Sequence, residues 1–187
     1  MEPVQRSEIV DYVTYEETRE TFQKEVFAAK ERRRIHLGEC FTFLFENACT
    51  IRYQIQEMMR VEKIVREKDI HHELETYNSI LGGDGELGCS FMIEIDDPQE
   101  RDLKLREWIE LPEHVYAELA DGTRVRCSYD EAQRGGARLS AVQYLKFPVH
   151  GRVPVALGID LAGCEAWICL TEDQRDALQE DLASNRP

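Results

Sequence analysis

The sequence predicts an α+β fold, a mostly antiparallel sheet with helices packed on it. Helical periodicity dominates the first half of the chain, and short alternating apolar runs dominate the second. The two mix only in part, unlike the regular strand–helix repetition of a doubly wound parallel sheet. The 187 residues fit one domain spanning 1–187, with 1–13 read as a flexible N-terminal segment and 184–187 as a C-terminal tail.

Thr14 and Glu17 make a capping-box pattern, and Thr18, Phe22, Val26 and Ala29 follow at helical spacing. A first helix is therefore expected from Tyr15 to the Arg32-Arg33-Arg34 cluster, whose charge suits the negative end of the helix dipole. Short apolar runs at 35–37 and 41–45, around Gly38, predict two strands. A long helix should follow over 50–67, with Ile51, Ile55, Met58, Val61 or Glu62, and Val65 as its core stripe. Asp69 is placed to cap a further helix over 70–81, which the glycine-rich stretch 82–85 ends.

Residues 89–95 read as a strand, and Asp97-Pro98 supplies an N-cap with proline at the first helical position of a helix reaching Trp108. Val115, Ala117 and Leu119 face Val125 and Cys127 across Asp121-Gly122, a hairpin signal. A two-residue turn would oppose Leu119 and Arg124. A three-residue loop over Ala120, Asp121 and Gly122 with a left-handed Gly122 pairs Ala117 with Val125, and is preferred. Residues 130–138 read as an exposed connection, 141–147, 153–159 and 166–170 as strands, and Thr171 with Gln174 as the cap of a last short helix.

The formal charge of −14, from 37 acidic and 23 basic residues, sets up a field that repels phosphate backbones and anionic membranes, so nucleic acid is not an expected partner. No apolar run is long enough to cross a bilayer and the N-terminus lacks a signal-like apolar stretch, so no membrane partner and a cytoplasmic location are expected. The six cysteines form no CxxC, and the nearest pairs are spaced unlike zinc or redox motifs, which favours reduced thiols used in packing. The glycine-rich stretches 82–85 and 135–136 lack the context and the lysine of a phosphate loop. Ser140, Thr42 and the cysteines are nucleophiles without a marked base. No cofactor is implied.

Two other constellations stand out. His71, His72 and Glu75 place imidazoles and a carboxylate a turn apart, but at the start of a polar helix a solvated pair is the plainer reading. A reserve metalloprotein reading would draw on Glu57, His72, Glu73 or Glu94. The denser signal lies at 52–60, where Arg52, Gln56 and Arg60 share one helical row and Tyr53 and Glu57 the next. This is either a solvated face laced by an Arg60–Glu57 pair or a docking and anion-binding face. In the second case Arg52 and Arg60 are charge partners, Gln54, Gln56, Tyr77 and Asn78 are orienting groups, and Glu57 or Glu94 is an acid or base.

The segment R-Y-Q-I-Q-E-M-M-R from Arg52 to Arg60, preceded by K-E-R-R-R from Lys30, resembles a bacterial family known as domain of unknown function 3501. The likeness extends through E-L-x-x-Y-N at Glu73, Leu74, Tyr77 and Asn78, through M-I-E-I-D-D-P over 92–98, and through S-A-V-x-Y-L-x-F over 140–147. The family often carries a G-x-D-H-P-x-Y-like stretch near its end; here Gly158, Ile159, Asp160, Leu161 and Ala162 lack the histidine and proline. Genes of the family neighbour those of rubrerythrin-like diiron proteins and iron-sulfur oxidoreductases. The resemblance thus implies a cytosolic accessory protein that docks on an oxidoreductase partner in a redox or peroxide-stress system, with a small-ligand enzyme or sensor as the alternative.

Overall fold

The computed structural model describes residues 1–131 and 134–184. A 3-10 turn at Arg6–Glu8 precedes α1 (Tyr12–Glu31), β1 (Arg34–Leu37), β2 (Phe41–Phe45), α2 (Ala48–Glu62), α3 (Glu67–Asn78), β3 (Leu87–Ile93) and α4 (Pro98–Glu107). Then come β4 (Val115–Leu119), β5 (Arg124–Arg126), β6 (Ser128–Tyr129), β7 (Arg134–Gly135), β8 (Arg138–Leu139), β9 (Val142–Phe147), β10 (Pro154–Ile159), β11 (Ala166–Cys169) and α5 (Glu172–Ala183). The fold is α+β, and its strands form two larger sheets. One has the order β1-β2-β3-β9-β6, the other β11-β10-β4-β5, with β7 and β8 as a separate ribbon, and the strand pairs are antiparallel.

The caps explain where the helices begin. Asp11, not Thr14, caps α1, accepting from the Val13 and Thr14 amides, so the helix starts three residues before the expected Tyr15. Asn47 caps α2 in a reciprocal box with Thr50, which is the third helical residue and not the first. The helix stops at Glu62 because Lys63 turns left-handed, at φ 52°, earlier than the predicted 67. Its core stripe is consequently Ile51, Ile55 and Met59, while Val61 and Val65 are two-thirds exposed. α3 begins at Glu67, two residues before the expected Asp69 cap, and β3 is displaced two residues from the predicted 89–95.

Asp97 with Pro98 starts α4, and Thr171 with Gln174 starts α5, as their local chemistry dictates. In the β4–β5 hairpin Ala117 pairs with Val125, and Gly122 takes φ 81°, the register of the three-residue loop. The expected connection at 130–138 includes β7 and the start of β8, and two of its residues, 132 and 133, lie outside the described ones.

One apolar cluster fills the space between the two larger sheets. Phe43, Phe45, Phe91, Leu145 and Phe147 come from one sheet, Val115, Ala117 and Leu157 from the other, and Leu105 and Leu178 from α4 and α5. A second cluster joins α2 and α3 to the N-terminal segment through Val4, Ile9, Ile55, Met59 and Leu74. The stretch read as flexible is therefore packed, with Val4 and Ile9 each only 3% exposed. Gly88 lets the chain leaving α3 cross β3, because a Cβ there would run into the Ile80 carbonyl oxygen.

α1 ends at the basic cluster, with Arg32 as its C-cap, and the first two arginines also reach across to α5. Arg32 reaches Asp173 and Glu180 on α5, and Arg33, 4% exposed, makes a two-pronged bond to buried Asp181 at 2.8 and 2.9 Å. Those contacts pin α5 to the start of β1. Arg34 belongs to the outer face of β1.

Candidate functional site

The polar row of α2 is largely covered, with Arg52 and Gln56 bordering only a small cleft of about 220 Å³. It faces α1 and the N-terminal segment of its own chain. Gln56, 2% exposed, brackets Val10, its Oε1 accepting from the amide at 2.8 Å and its Nε2 donating to the carbonyl at 3.1 Å. Asn78 at the end of α3 does the same to Val4, at 2.9 Å each way. These brackets satisfy backbone groups that packing partly shields from water.

Glu57 accepts from the Tyr15 hydroxyl at 2.8 Å, from Arg19 at 2.6 and 3.1 Å, and from Arg60 at 3.1 Å. Burial pushes this carboxyl up, but the three donors outweigh it and hold it below the usual carboxylate range. Burial, with Glu57 beside it, pushes the Tyr15 phenol well up. Tyr53 accepts from Gln23 at 3.0 Å and is flanked by Phe22, Phe27 and the Lys30 ammonium. Arg52 lays its guanidinium over Phe22, 4.5 Å from the ring centre. The structure thus brings Arg52, Tyr53, Gln56, Glu57 and Arg60 together as the fastening of α1 to α2.

Gln54 and Tyr77 turn the other way, with the Gln54 side chain beside the Tyr77 phenol. Tyr77 lines a cleft of about 520 Å³ between the end of α3 and strands β6 and β9, with Ser128, Tyr129, Asp130, Tyr144 and Lys146 among its walls. Alternation along β9 aims Val142, Tyr144 and Lys146 to the outer face while Gln143, Leu145 and Phe147 enter the core. Behind Tyr144 sits Glu46, 8% exposed, accepting from Thr50 at 2.5 Å and Ser90 at 2.7 Å. Burial pushes the phenols of Tyr77 and Tyr144 up, with Glu46 adding to it at Tyr144. Both stay protonated at neutral pH. The cleft combines aromatic faces, phenolic donors, one ammonium and one carboxylate.

Sequence reasoning reached Tyr77 but not Tyr129, Tyr144, Lys146 or Glu46. The alternation in the 140–147 motif carries the signal for Tyr144 and Lys146. Nothing local could announce that α3 would close the other wall.

The metal candidates are dispersed. Glu57 is engaged as above, His72 is exposed and Glu73 half-buried on α3, and Glu94 accepts from Thr42 at 2.5 Å. His71 meets Glu67, at 3.6 Å, and not Glu75. Among the described residues no three His, Cys, Asp or Glu side chains are grouped so as to hold a metal ion. The six cysteines are free thiols, and burial pushes Cys127 up to about 12 and Cys164 up to about 11, away from the thiolate form a nucleophile needs. Thr42 is fully buried, which removes it as a nucleophile. No described helix is long and apolar enough to cross a membrane.

No curated protein matches the chain. Among solved structures, a "novel protein of unknown function" from Burkholderia pseudomallei K96243 superposes with a TM-score of 0.89 at 26% identity, covering 97% of this chain and 100% of that one. Residues 3–182 match the family described as "Protein of unknown function (DUF3501)". That match takes in both larger sheets and the five described α-helices but for the last residue of α5, and the chain belongs to the DUF3501 family.

Proposed function

We propose that this is a non-catalytic binding protein whose recognition surface is the tyrosine-lined cleft between α3 and β6–β9, and whose partner is an oxidoreductase of a redox or peroxide-handling system. The observation that carries the reading is the contrast between two surfaces. Arg52, Tyr53, Gln56, Glu57 and Arg60 hold α1 and the N-terminal segment, whereas the cleft presents the rings of Tyr77, Tyr129 and Tyr144 with the Lys146 side chain, the Tyr129 hydroxyl donating to Glu113. Tyrosine is favoured at recognition surfaces because its ring contributes large rigid area and its hydroxyl stays hydrated or bonded. The partner class comes from the gene neighbourhoods that go with the family resemblance.

The test is affinity capture from the native host under gentle conditions, comparing the wild-type protein with Tyr144→Ala and Lys146→Glu. The expected result is a rubrerythrin-like or iron-sulfur protein recovered by the wild type and lost from both variants. Recovery of no such protein, or undiminished recovery by the variants, overturns the reading.

The size of the cleft also favours a second reading, a small anionic ligand held against Lys146, since about 520 Å³ lies within the range of small-molecule pockets. Native mass spectrometry separates the two: a retained mass lost in Lys146→Glu supports the ligand, and a bare chain that still captures its protein partner supports docking.

A further inference from the structure

Away from that cleft, the outer face of β1 and β2 carries a hydrogen-bonded relay. His36 Nδ1 lies 2.8 Å from Thr42 Oγ1, its register partner across the β1–β2 pair, and Thr42 Oγ1 lies 2.5 Å from Glu94 Oε2 just beyond β3. A carboxylate only accepts, so the single hydroxyl proton of Thr42 goes to Glu94, and Nδ1 must donate to Thr42. In its neutral form the imidazole is thereby held with its proton on Nδ1, which leaves Nε2 as the acceptor facing outward. Thr42 is 0% exposed, so water does not compete for the middle of the relay.

His36 opens onto a groove of about 580 Å³ that it shares with Phe27, Glu31 and Arg34. In a chain rich in carboxylates, neither the Glu31 carboxylate nor the Arg34 guanidinium has an ion-pair partner among the described residues, and they do not pair with each other. Phe27 leaves 54% of its surface exposed on the same groove. One anion, one cation, one oriented proton acceptor and one aromatic wall therefore converge.

We propose that this groove binds a small zwitterion of the α-amino-acid type. Its carboxylate lies on Arg34, its ammonium lies between Glu31 and the His36 Nε2 acceptor, and its apolar side chain lies against Phe27. Thr42 and Glu94 are positioning residues, acting through the His36 tautomer. A metal at this point is disfavoured by the Arg34 charge, and a plain anion leaves Glu31 opposed.

The experiment uses the full chain, uniformly labelled with nitrogen-15, and reads the His36 ring by long-range proton–nitrogen correlation. The Nδ1–H tautomer is expected in the wild type and in Thr42→Ser, which keeps the hydroxyl. In Thr42→Val it should give way to the Nε2–H form. L-leucine is then titrated, with acetate and methylamine as half-ligands. A saturable shift of the His36 ring with L-leucine, weakened about tenfold or more in Arg34→Met and in Glu31→Gln, supports the site. An Nε2–H tautomer in the wild type, or no change in Thr42→Val while the amide spectrum shows a folded protein, overturns the relay. No saturable shift with L-leucine, or equal shifts with acetate alone, overturns the zwitterion.

Discussion

Replacing Asp181 by alanine tests the fastening of α5 most directly. Its carboxylate accepts from Arg33 Nε at 2.8 Å and Nη2 at 2.9 Å and from Asn47 Nδ2 at 3.3 Å, and the Arg33 and Asp181 side chains are only 5% and 6% exposed. Removing the carboxylate leaves a buried guanidinium whose remaining partners are the Ala29 and Ala177 carbonyls, with Glu180 3.8 Å away and largely exposed. Stranding one member of a buried pair costs about 3–5 kcal/mol, whereas replacing both by apolar residues of similar volume is often neutral. For a chain of this length that corresponds to a fall in Tm of roughly 6–20 °C.

Urea unfolding should therefore show Asp181→Ala with a much lower midpoint and an unchanged slope, and Arg33→Met/Asp181→Leu with most of the stability restored. A single variant that loses less than about 1 kcal/mol would mean that water or Glu180 takes over the guanidinium. A double variant as unstable as the single one would mean that α5 needs the charges themselves. Either result refutes the reasoning.

Glu57 makes a pH prediction. Its folded carboxyl titrates below its usual range, so its contribution is present above the unfolded carboxylate range and is lost as the pH falls through the depressed folded value. Glu57→Gln should destabilise at neutral pH, and the difference from wild type should shrink on acidification below the usual carboxylate range; an unchanged difference would contradict the linkage. The two amide brackets make another. Gln56→Ala and Asn78→Ala each leave a part-buried amide and carbonyl without their side-chain partner, costing about 1–3 kcal/mol. Amide exchange should accelerate around Val10 and Val4 respectively before it does in β3, and equal rates in variant and wild type would show that the brackets do not hold the segment.

The amino-acid sequence by itself determined the features that local chemistry decides. Asp97-Pro98 and Thr171 with Gln174 start helices because a side-chain oxygen and a free amide within one turn are all the cap requires. The Ala117–Val125 register follows from the loop length and a left-handed Gly122. The α+β class followed from the changing hydrophobic period.

Which polar residues serve as structure and which as recognition surface was decided only by tertiary packing. Arg52, Gln56, Glu57 and Arg60 have the spacing of a docking face, and the same spacing serves a helix that must satisfy the donors of α1 and the carbonyls of the N-terminal segment. Tyr77, Tyr144 and Lys146 meet because the end of α3 packs beside β9, and His36 is linked to Glu94 through Thr42 because β1, β2 and β3 lie side by side. Such juxtapositions join residues separated by some fifty to seventy positions. No local period encodes them, since each is set by which surfaces bury together and not by the segments themselves.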